Sequence, residues 1–225
     1  MHIPDGFLNG ATIATTTAVS AGGLGAAIRI TGNKLNERQV PLMGMTAAFI
    51  FAAQMLNFPI LAGTSGHMIG AAMAVILLGP WSAIIVLSLV LIAQCLIFQD
   101  GGLLALGANI FNMAIVASLS AYLIYRVTVR ITGSGRYPTL IAGFGAAWGS
   151  VVLASIACSG ELAFSGTAPL GTVLPAMTGV HALIGVGEGL ATVAVIGLIR
   201  SVRGSLFSTV AELNSKTARS PEVKA

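Results

Sequence analysis

The chain has 225 residues, of which 56% are hydrophobic and only 8% are charged, and its mean hydropathy is +0.92. A typical soluble domain has about 25% charged residues, so this composition excludes a water-soluble globular protein. The net charge of +4 does not indicate nucleic-acid binding either, because the basic residues occur only in three short windows. This distribution of charge is typical of a polytopic membrane protein.

Apolar stretches separated by polar breaks predict seven membrane-spanning helices, since such a helix needs about 20 mostly apolar residues. In chain order the segments are 8–30, 41–57, 67–79, 81–98, 103–125, 138–159 and 179–200. The third is short and ends at Gly79-Pro80, where proline interrupts a helix, and the preceding residues 57–66 are predicted to dip into the protein. We expect an all-α transmembrane domain, 1–203, followed by a polar cytoplasmic tail, 204–225.

The positions of the basic residues predict the orientation in the membrane. Lys and Arg occur only within 29–38, 126–136 and 200–224, and these windows follow the first, fifth and seventh segments. Placing all three windows in the cytoplasm puts the N-terminus outside and the C-terminus inside. Asp5, Asp100 and Glu161 then lie at the outer face, where they would raise the local concentration of cations.

The N-terminal dipeptide is the most informative motif. No basic stretch precedes the first apolar run, so a secretory signal is not expected, and we take the Met1 amine to be free. That amine, the His2 amide nitrogen and the His2 imidazole Nδ1 would close two chelate rings around one ion, which suits square-planar Ni(II) or Cu(II). His67 begins the third segment on the same predicted face and is the candidate fourth nitrogen. The alternative is a solvated terminal His2 and a packing or capping His67.

A second polar pair lies in the last predicted span. His181 and Glu188 are two helical turns apart and share one face of the helix. Ionisable residues inside a span usually face the protein interior and have a partner. The pair either relays metal or supports a ligand, or it forms a hydrogen-bonded brace between helices. The sequence contains no GxxxxGK[ST], HExxH or GxSxG motif, so we expect neither nucleotide hydrolysis nor hydrolase chemistry from this chain.

Three motifs together resemble the CbiM/NikM family, the membrane substrate-binding subunits of cobalt and nickel energy-coupling-factor importers. They are MHIPDG at the N-terminus, SGHM around His67, and HALIGVGEG at 181–189. The resemblance implies a six-helix core with an added N-terminal helix, and a metal held by the Met1 amine, the His2 amide and imidazole nitrogens, and His67. The further candidates for supporting these ligands or relaying the ion are Asp5, Ser65, His181 and Glu188.

The resemblance also implies a role and partners. The chain would be the substrate-specific subunit of an ATP-driven importer in a bacterial or archaeal cytoplasmic membrane, taking up Co²⁺ or Ni²⁺, for example for cobalamin biosynthesis. It would not be an enzyme and would need no cofactor. Its partners would be a transmembrane coupling subunit, a pair of cytoplasmic ATPases and a small accessory membrane subunit on a separate chain. The alternatives are a nickel-specific importer subunit and an ATP-independent metal channel or facilitator.

Overall fold

A computed structural model of the protein describes residues 1–32, 39–60 and 64–202. Lys34 and Arg38 of the first basic window, and the predicted tail 204–225, lie outside these ranges. The helices are α1 (Gly10–Gly32), α2 (Gln39–Gln54), α3 (Ala71–Leu78), α4 (Pro80–Phe98), α5 (Leu106–Ile110), α6 (Ala117–Thr132), α7 (Arg136–Phe164) and α8 (Leu170–Val202). A π-helical segment, Phe111–Val116, joins α5 to α6.

The helical content confirms the predicted fold class, with one departure in the described ranges. Strands β1 (Phe58–Ile60) and β2 (Thr64–Gly66) pair antiparallel, with Pro59 opposite Ser65. This hairpin occupies most of the stretch that was predicted to dip into the protein. Its backbone groups pair with each other, which is the way a non-helical segment can be accommodated within a helical bundle.

Among the residues that the structure describes, five helices are long and apolar enough to cross a membrane, namely α1, α4, the continuous helix 106–132, α7 and α8. Helix α2 has 16 residues and α3 has only 8. The third predicted segment is therefore not a full span by itself: its first residues, 67–70, are irregular and lead from β2 into α3. The predicted count of seven spans, and the orientation, stay predictions.

The predicted break at Gly79-Pro80 separates α3 from α4. Gly79 has φ 82°, a conformation that glycine adopts without the steric cost that a Cβ would add. Pro80 is the first residue of α4, where its missing N–H leaves no helical hydrogen bond unmade. The chain therefore changes direction between the short α3, which is mostly buried, and the longer α4.

The surface and interior of the bundle show an inverted distribution of polarity. Large apolar side chains such as Leu56, Ile131 and Leu183 are more than three-quarters exposed, whereas Gln54 and Gln94 are completely buried. An exposed apolar surface of this extent would be unfavourable in water and is expected where lipid covers the protein. The chain is a multi-pass membrane protein whose polar side chains are collected inside.

Candidate metal site

The N-terminal segment lies inside the protein. Met1, His2 and Ile3 have 0%, 3% and 0% of their surface exposed. The Ile3 N–H donates to Asn109 Oδ1 at 2.8 Å, and the Ile3 carbonyl accepts from Asn109 Nδ2 at 3.1 Å and from the Gly102 N–H at 2.9 Å. Buried backbone groups need such partners, so these contacts hold the first three residues in one position.

Asp5 secures the other end of this segment. Its carboxylate oxygens accept hydrogen bonds from the N–H groups of Leu103 at 3.0 Å, Leu104 at 2.8 Å and Ala105 at 3.2 Å. These N–H groups precede α5 and have no helical acceptor, and an anion is favoured at such a position. A side chain at Gly102 would collide with Asp5, so the close approach requires glycine. Asp5 thus supports the N-terminal segment from a distance and is not grouped with the nitrogen donors.

Three nitrogens of the first two residues converge on the hydroxyl of Ser65, in β2. The Met1 amine donates to Ser65 Oγ at 3.0 Å and the His2 N–H donates to it at 3.1 Å. The His2 Nδ1 is 3.5 Å from the same oxygen. The donors that could close two chelate rings around one ion therefore already point to one place. Ser65 occupies that place and satisfies the buried N–H groups.

The His2 ring contacts two polar side chains, one in the last turns of α4 and one just after this helix. Its Nε2 is 3.1 Å from Gln94 Oε1, and its Nδ1 is 3.3 Å from Asp100 Oδ1. When Nε2 carries the ring proton, it donates to Gln94 and leaves Nδ1 with a lone pair. A second-sphere acceptor of this kind is what fixes the tautomer of a metal-binding histidine.

His67 presents its other ring nitrogen toward the same region. Its Nδ1 is 2.7 Å from the Met68 carbonyl oxygen, and because a carbonyl can only accept, Nδ1 carries the proton. Nε2 then has a lone pair, is buried, and has no hydrogen-bond partner. The ring stacks on that of His2, with 4.6 Å between centroids and 28° between planes. A buried imidazole nitrogen without a partner is costly unless it serves as a ligand.

Burial keeps the nitrogens of this site in their neutral forms. Desolvation lowers the pKa of the Met1 amine to about 4, although Cys158 and Asp100 act in the opposite direction. Desolvation, followed by the nearby amine, lowers the pKa of His2 to about 3. The same two causes lower the pKa of His67 well below its usual value. At neutral pH the amine and both rings therefore offer lone pairs, as a metal ion requires.

Glu188 binds the backbone that follows His67. The carboxylate is completely buried, and its two oxygens accept hydrogen bonds from the N–H of Ile69 at 2.6 Å and of Gly70 at 2.8 Å. Gln54 Nε2 donates to the Ile69 carbonyl at 2.8 Å. Helices α2 and α8 thereby fix the segment that carries His67. Glu188 thus contacts the backbone that precedes α3, and the alternative roles of His181 and Glu188 stay predictions.

His181 is completely buried and is not one of the converging nitrogen donors. Its Nδ1 is 2.8 Å from the Met177 carbonyl, and its Nε2 has no hydrogen-bond partner. Met177 also accepts a hydrogen bond from Thr64 Oγ1 through its sulfur at 3.0 Å.

The main chain is essential to any metal site here. Across 1–32, 39–60 and 64–202, no group of three or more His, Cys, Asp or Glu side chains is arranged to hold a metal. The amine of Met1 and the amide nitrogen of His2 are not side chains, and they supply two of the four candidate donors. The arrangement can offer four nitrogens to a divalent transition metal, a donor set suited to tetragonal coordination.

An open cavity of about 340 Å³ reaches this site, and its lining includes His2, Asn57, Ser65 and Asp100. From the sequence, Asp100 is predicted only to lie at the outer face, and no contact of His2 with Asp100, Asn57 or Gln94 is predicted. A signal was present, because Asp100 is the only charged residue between Arg38 and Arg126, and Gln94 interrupts a long apolar helix. This signal did not reveal that Asp100 and Gln94 both contact His2.

Comparison with known proteins agrees with this architecture. The sequence profile of a family described as the cobalt uptake substrate-specific transmembrane region, CbiM, matches residues 2–206. A relative from Haloquadratum walsbyi that is named for metal transport is 41% identical over 226 residues, covering all of both chains. A relative from Archaeoglobus fulgidus named as a fused nickel transport protein, NikMN, is 43% identical over 206 residues, which is 90% of this chain and 66% of that protein.

A solved crystal structure extends the agreement to three dimensions. A transition metal transporter superposes with a TM-score of 0.83 at 33% sequence identity, covering 95% of this chain and 99% of that one. Profile, relatives and structure thus agree over nearly the whole length of the described bundle. The chain therefore belongs to the CbiM family of membrane components for transition-metal transport.

Proposed function

We propose that the chain captures Co²⁺ or Ni²⁺ for import, using four nitrogens from the Met1 amine, the His2 amide, His2 Nδ1 and His67 Nε2. One observation carries the proposal: three of these nitrogens converge on Ser65 Oγ within 3.5 Å. The fourth is a buried nitrogen without a hydrogen-bond partner, on a ring stacked against His2. The name of the matching family supports a transported metal as the cargo.

Ion binding would exchange one set of partners for another at the same nitrogens. In the metal-free protein, Ser65 accepts the N–H groups of Met1 and His2. Capture removes the amide proton to solvent and places the ion where those N–H bonds point. The three consecutive donors then hold the ion in one plane, and His67 Nε2 supplies the fourth nitrogen of that plane. The waters of the hydrated ion leave as the nitrogens bind.

The choice between cobalt and nickel is part of the proposal. Both ions accept nitrogen donors, and the general affinity order alone would favour copper over either. The matching family is described for cobalt uptake, whereas the relative from Archaeoglobus fulgidus is named for nickel transport. We propose cobalt as the principal cargo, with a nickel-specific subunit as the alternative that the competition experiment below decides.

The chain is proposed to work as the substrate-specific subunit of an energy-coupling-factor importer. It would assemble with a transmembrane coupling subunit, a pair of cytoplasmic ATPases and a small accessory membrane subunit. The sequence contains no nucleotide-binding motif of its own. Apart from the cavity that reaches His2 and Ser65, the donors are enclosed, since Met1 and His67 have 0% and 1% exposure. Enclosure of this kind favours capture followed by driven release over an open, ATP-independent channel.

Metal analysis of the purified protein tests the proposal. The N-terminus must carry no tag, and mass spectrometry should establish that the chain begins at Met1. We expect about one Co²⁺ or Ni²⁺ per chain, and competition between the ions ranks them. Vesicles that contain the chain alone should accumulate no metal. Uptake by such vesicles without nucleotide would instead support the channel, and absence of tight binding by the native chain would contradict the proposal.

A further inference from the structure

Asp100 lines the open cavity and contacts the His2 ring. It lies two residues after the end of α4, and its side chain is 18% exposed. Its Oδ1 is 3.3 Å from His2 Nδ1, and its Oδ2 accepts a hydrogen bond from Asn57 Nδ2 at 3.1 Å. One oxygen is thus anchored, while the other faces the nitrogen that would bind an ion.

Asp100 is the only acidic residue among those that line this cavity in the part of the chain that the structure describes. Asp5 is close to His2 in the chain, but its carboxylate already accepts hydrogen bonds from three backbone N–H groups of the turn before α5. Asp100 therefore supplies the negative charge on the route from the surface to His2. A carboxylate at this position attracts a divalent cation and is a natural first ligand for a hydrated one.

The contact between Asp100 and His2 depends on the tautomer of His2. When Nδ1 carries the ring proton, it donates to Asp100 Oδ1. When Nε2 of His2 donates to Gln94, Nδ1 carries a lone pair, and two acceptors face each other across 3.3 Å. A proton or a cation beside both atoms relieves this repulsion. The arrangement fits a cation that passes from the oxygen to the nitrogen.

We propose that the Asp100 carboxylate is a docking ligand for the hydrated divalent ion on its way to the four nitrogens. This inference rests on the proposed function of the site. In the first step a metal–oxygen bond to Asp100 forms as a metal–water bond breaks. In the second step a bond to His2 Nδ1 forms as a further water leaves, and the ion moves inward to the Met1 amine and the amide nitrogen. No electron is transferred, and the amide proton goes to solvent.

A docking ligand has a kinetic signature. Asp100 lowers the barrier that separates the hydrated ion from the chelated ion, so its loss slows association. Replacement by Asn keeps the size of the side chain and removes the charge. We expect Asp100→Asn to lower the association rate constant for Co²⁺ about tenfold, and Asp100→Glu to restore at least part of it.

Stopped-flow absorbance with Co²⁺ and the full-length, untagged chain measures this rate constant. Glu161→Gln is the matched control, because it makes the same replacement of a carboxyl group by an amide on α7, where the side chain accepts from Asn112 Nδ2 at 2.7 Å and does not line the cavity. We expect its rate constant to stay within about twofold of the original. Circular dichroism and thermal unfolding check that each variant is folded, and Asp100→Ser replaces Asp100→Asn if the latter does not fold.

The salt dependence separates local docking from general attraction. At 1 M salt the Debye length is about 3 Å, and long-range attraction is screened. The defect of Asp100→Asn should persist there. A reduction smaller than threefold at low salt, or one that vanishes at 1 M salt, would overturn the inference. If the unaltered chain binds no Co²⁺ or Ni²⁺, the proposed function itself fails; a normal rate constant for Asp100→Asn in a chain that binds refutes the docking role alone.

Discussion

The imidazole rings of His2 and His67 stack on each other, with 4.6 Å between their centroids. One ring comes from the N-terminal segment and the other from the turn between β2 and α3, so the contact joins two distant parts of the chain. His2 Nε2 faces Gln94 Oε1 and His67 Nδ1 faces the Met68 carbonyl oxygen, while His2 Nδ1 faces Asp100. Nδ1 of His2 and Nε2 of His67 are the nitrogens proposed to share one ion.

Replacing His67 tests the fourth nitrogen. Removal of a partner that only supports a ligand typically costs 10–100-fold in metal affinity, so loss of a ligand should cost more. We expect His67→Ala to weaken Co²⁺ or Ni²⁺ binding by more than about a hundredfold, measured by titration against a competing chelator. The N-terminal segment should stay in place, since Asn109 and Asp5 hold it independently of His67.

His181→Gln is the matched control for His67→Ala. His181 is also a buried imidazole with a backbone acceptor on Nδ1 and no partner on Nε2, but it is outside the converging donors. We expect its variant to bind the ion within about threefold of the original chain. A loss equal to that of His67→Ala would identify His181 as a ligand and contradict the donor set proposed above.

Two glycines added before Met1 test the terminal amine. Met1 is completely buried and its amine is 3.0 Å from Ser65 Oγ, so the extension must move the amine out of its position. A single added residue would be unsuitable, because an amine two residues before a histidine closes three chelate rings of its own. We expect the affinity to fall by more than about a hundredfold, because the amine is lost as a ligand. Isothermal titration calorimetry measures the change. The same two glycines added after the C-terminus are the control, and tight binding by the N-terminally extended chain would exclude the amine as a ligand.

Replacing Ser65 by Ala tests whether its hydroxyl only accepts the N–H groups of Met1 and His2 before the ion binds, or is itself a ligand of the ion. The hydroxyl accepts two buried N–H groups, from Met1 and His2, in the metal-free protein. An unsatisfied buried donor costs about 1–3 kcal/mol, so the metal-free variant should unfold at a lower temperature. Because the ion replaces these hydrogen bonds, affinity should stay equal or rise by up to about tenfold.

Ser65→Thr keeps the hydroxyl and is the control for Ser65→Ala. It should preserve both the thermal stability and the affinity more closely than Ala does. Suppose that affinity drops tenfold or more for Ser65→Ala but is unchanged for Ser65→Thr. This result would show that the serine oxygen stays bound to the ion as an additional ligand.

Glu188→Gln tests the brace between α8 and the His67 segment. A glutamine side chain offers one acceptor oxygen, so one of the N–H groups of Ile69 and Gly70 loses its acceptor. We expect the free energy of unfolding to fall by about 1–3 kcal/mol, with a smaller effect on affinity than His67→Ala. Thermal unfolding without metal measures the first quantity. Unchanged stability combined with a hundredfold loss of affinity would instead make Glu188 a ligand.

The sequence predicted those features that depend on local pattern. The apolar stretches located the five long helices, and the Gly79-Pro80 pair located the break between α3 and α4. The predicted seventh segment begins at 179, whereas α8 begins at Leu170 and has Pro175 inside it. Inside a bundle, neighbouring groups compensate for the hydrogen bond that proline lacks. The pairing of β1 with β2 could not be predicted, since three-residue strands carry too little pattern.

The candidate donors could be identified from residue chemistry, because an N-terminal X-His sequence places an amine, an amide nitrogen and an imidazole in consecutive positions. By itself the sequence thus determined a helical membrane protein and the nitrogens that could chelate an ion. Only the tertiary structure decided that Glu188 holds the backbone after His67, that Gln94 and Asp100 contact the His2 ring, and that Ser65 lies where the donors meet. These pairs are distant in the chain, and the packing of helices, which no local pattern encodes, brings them together.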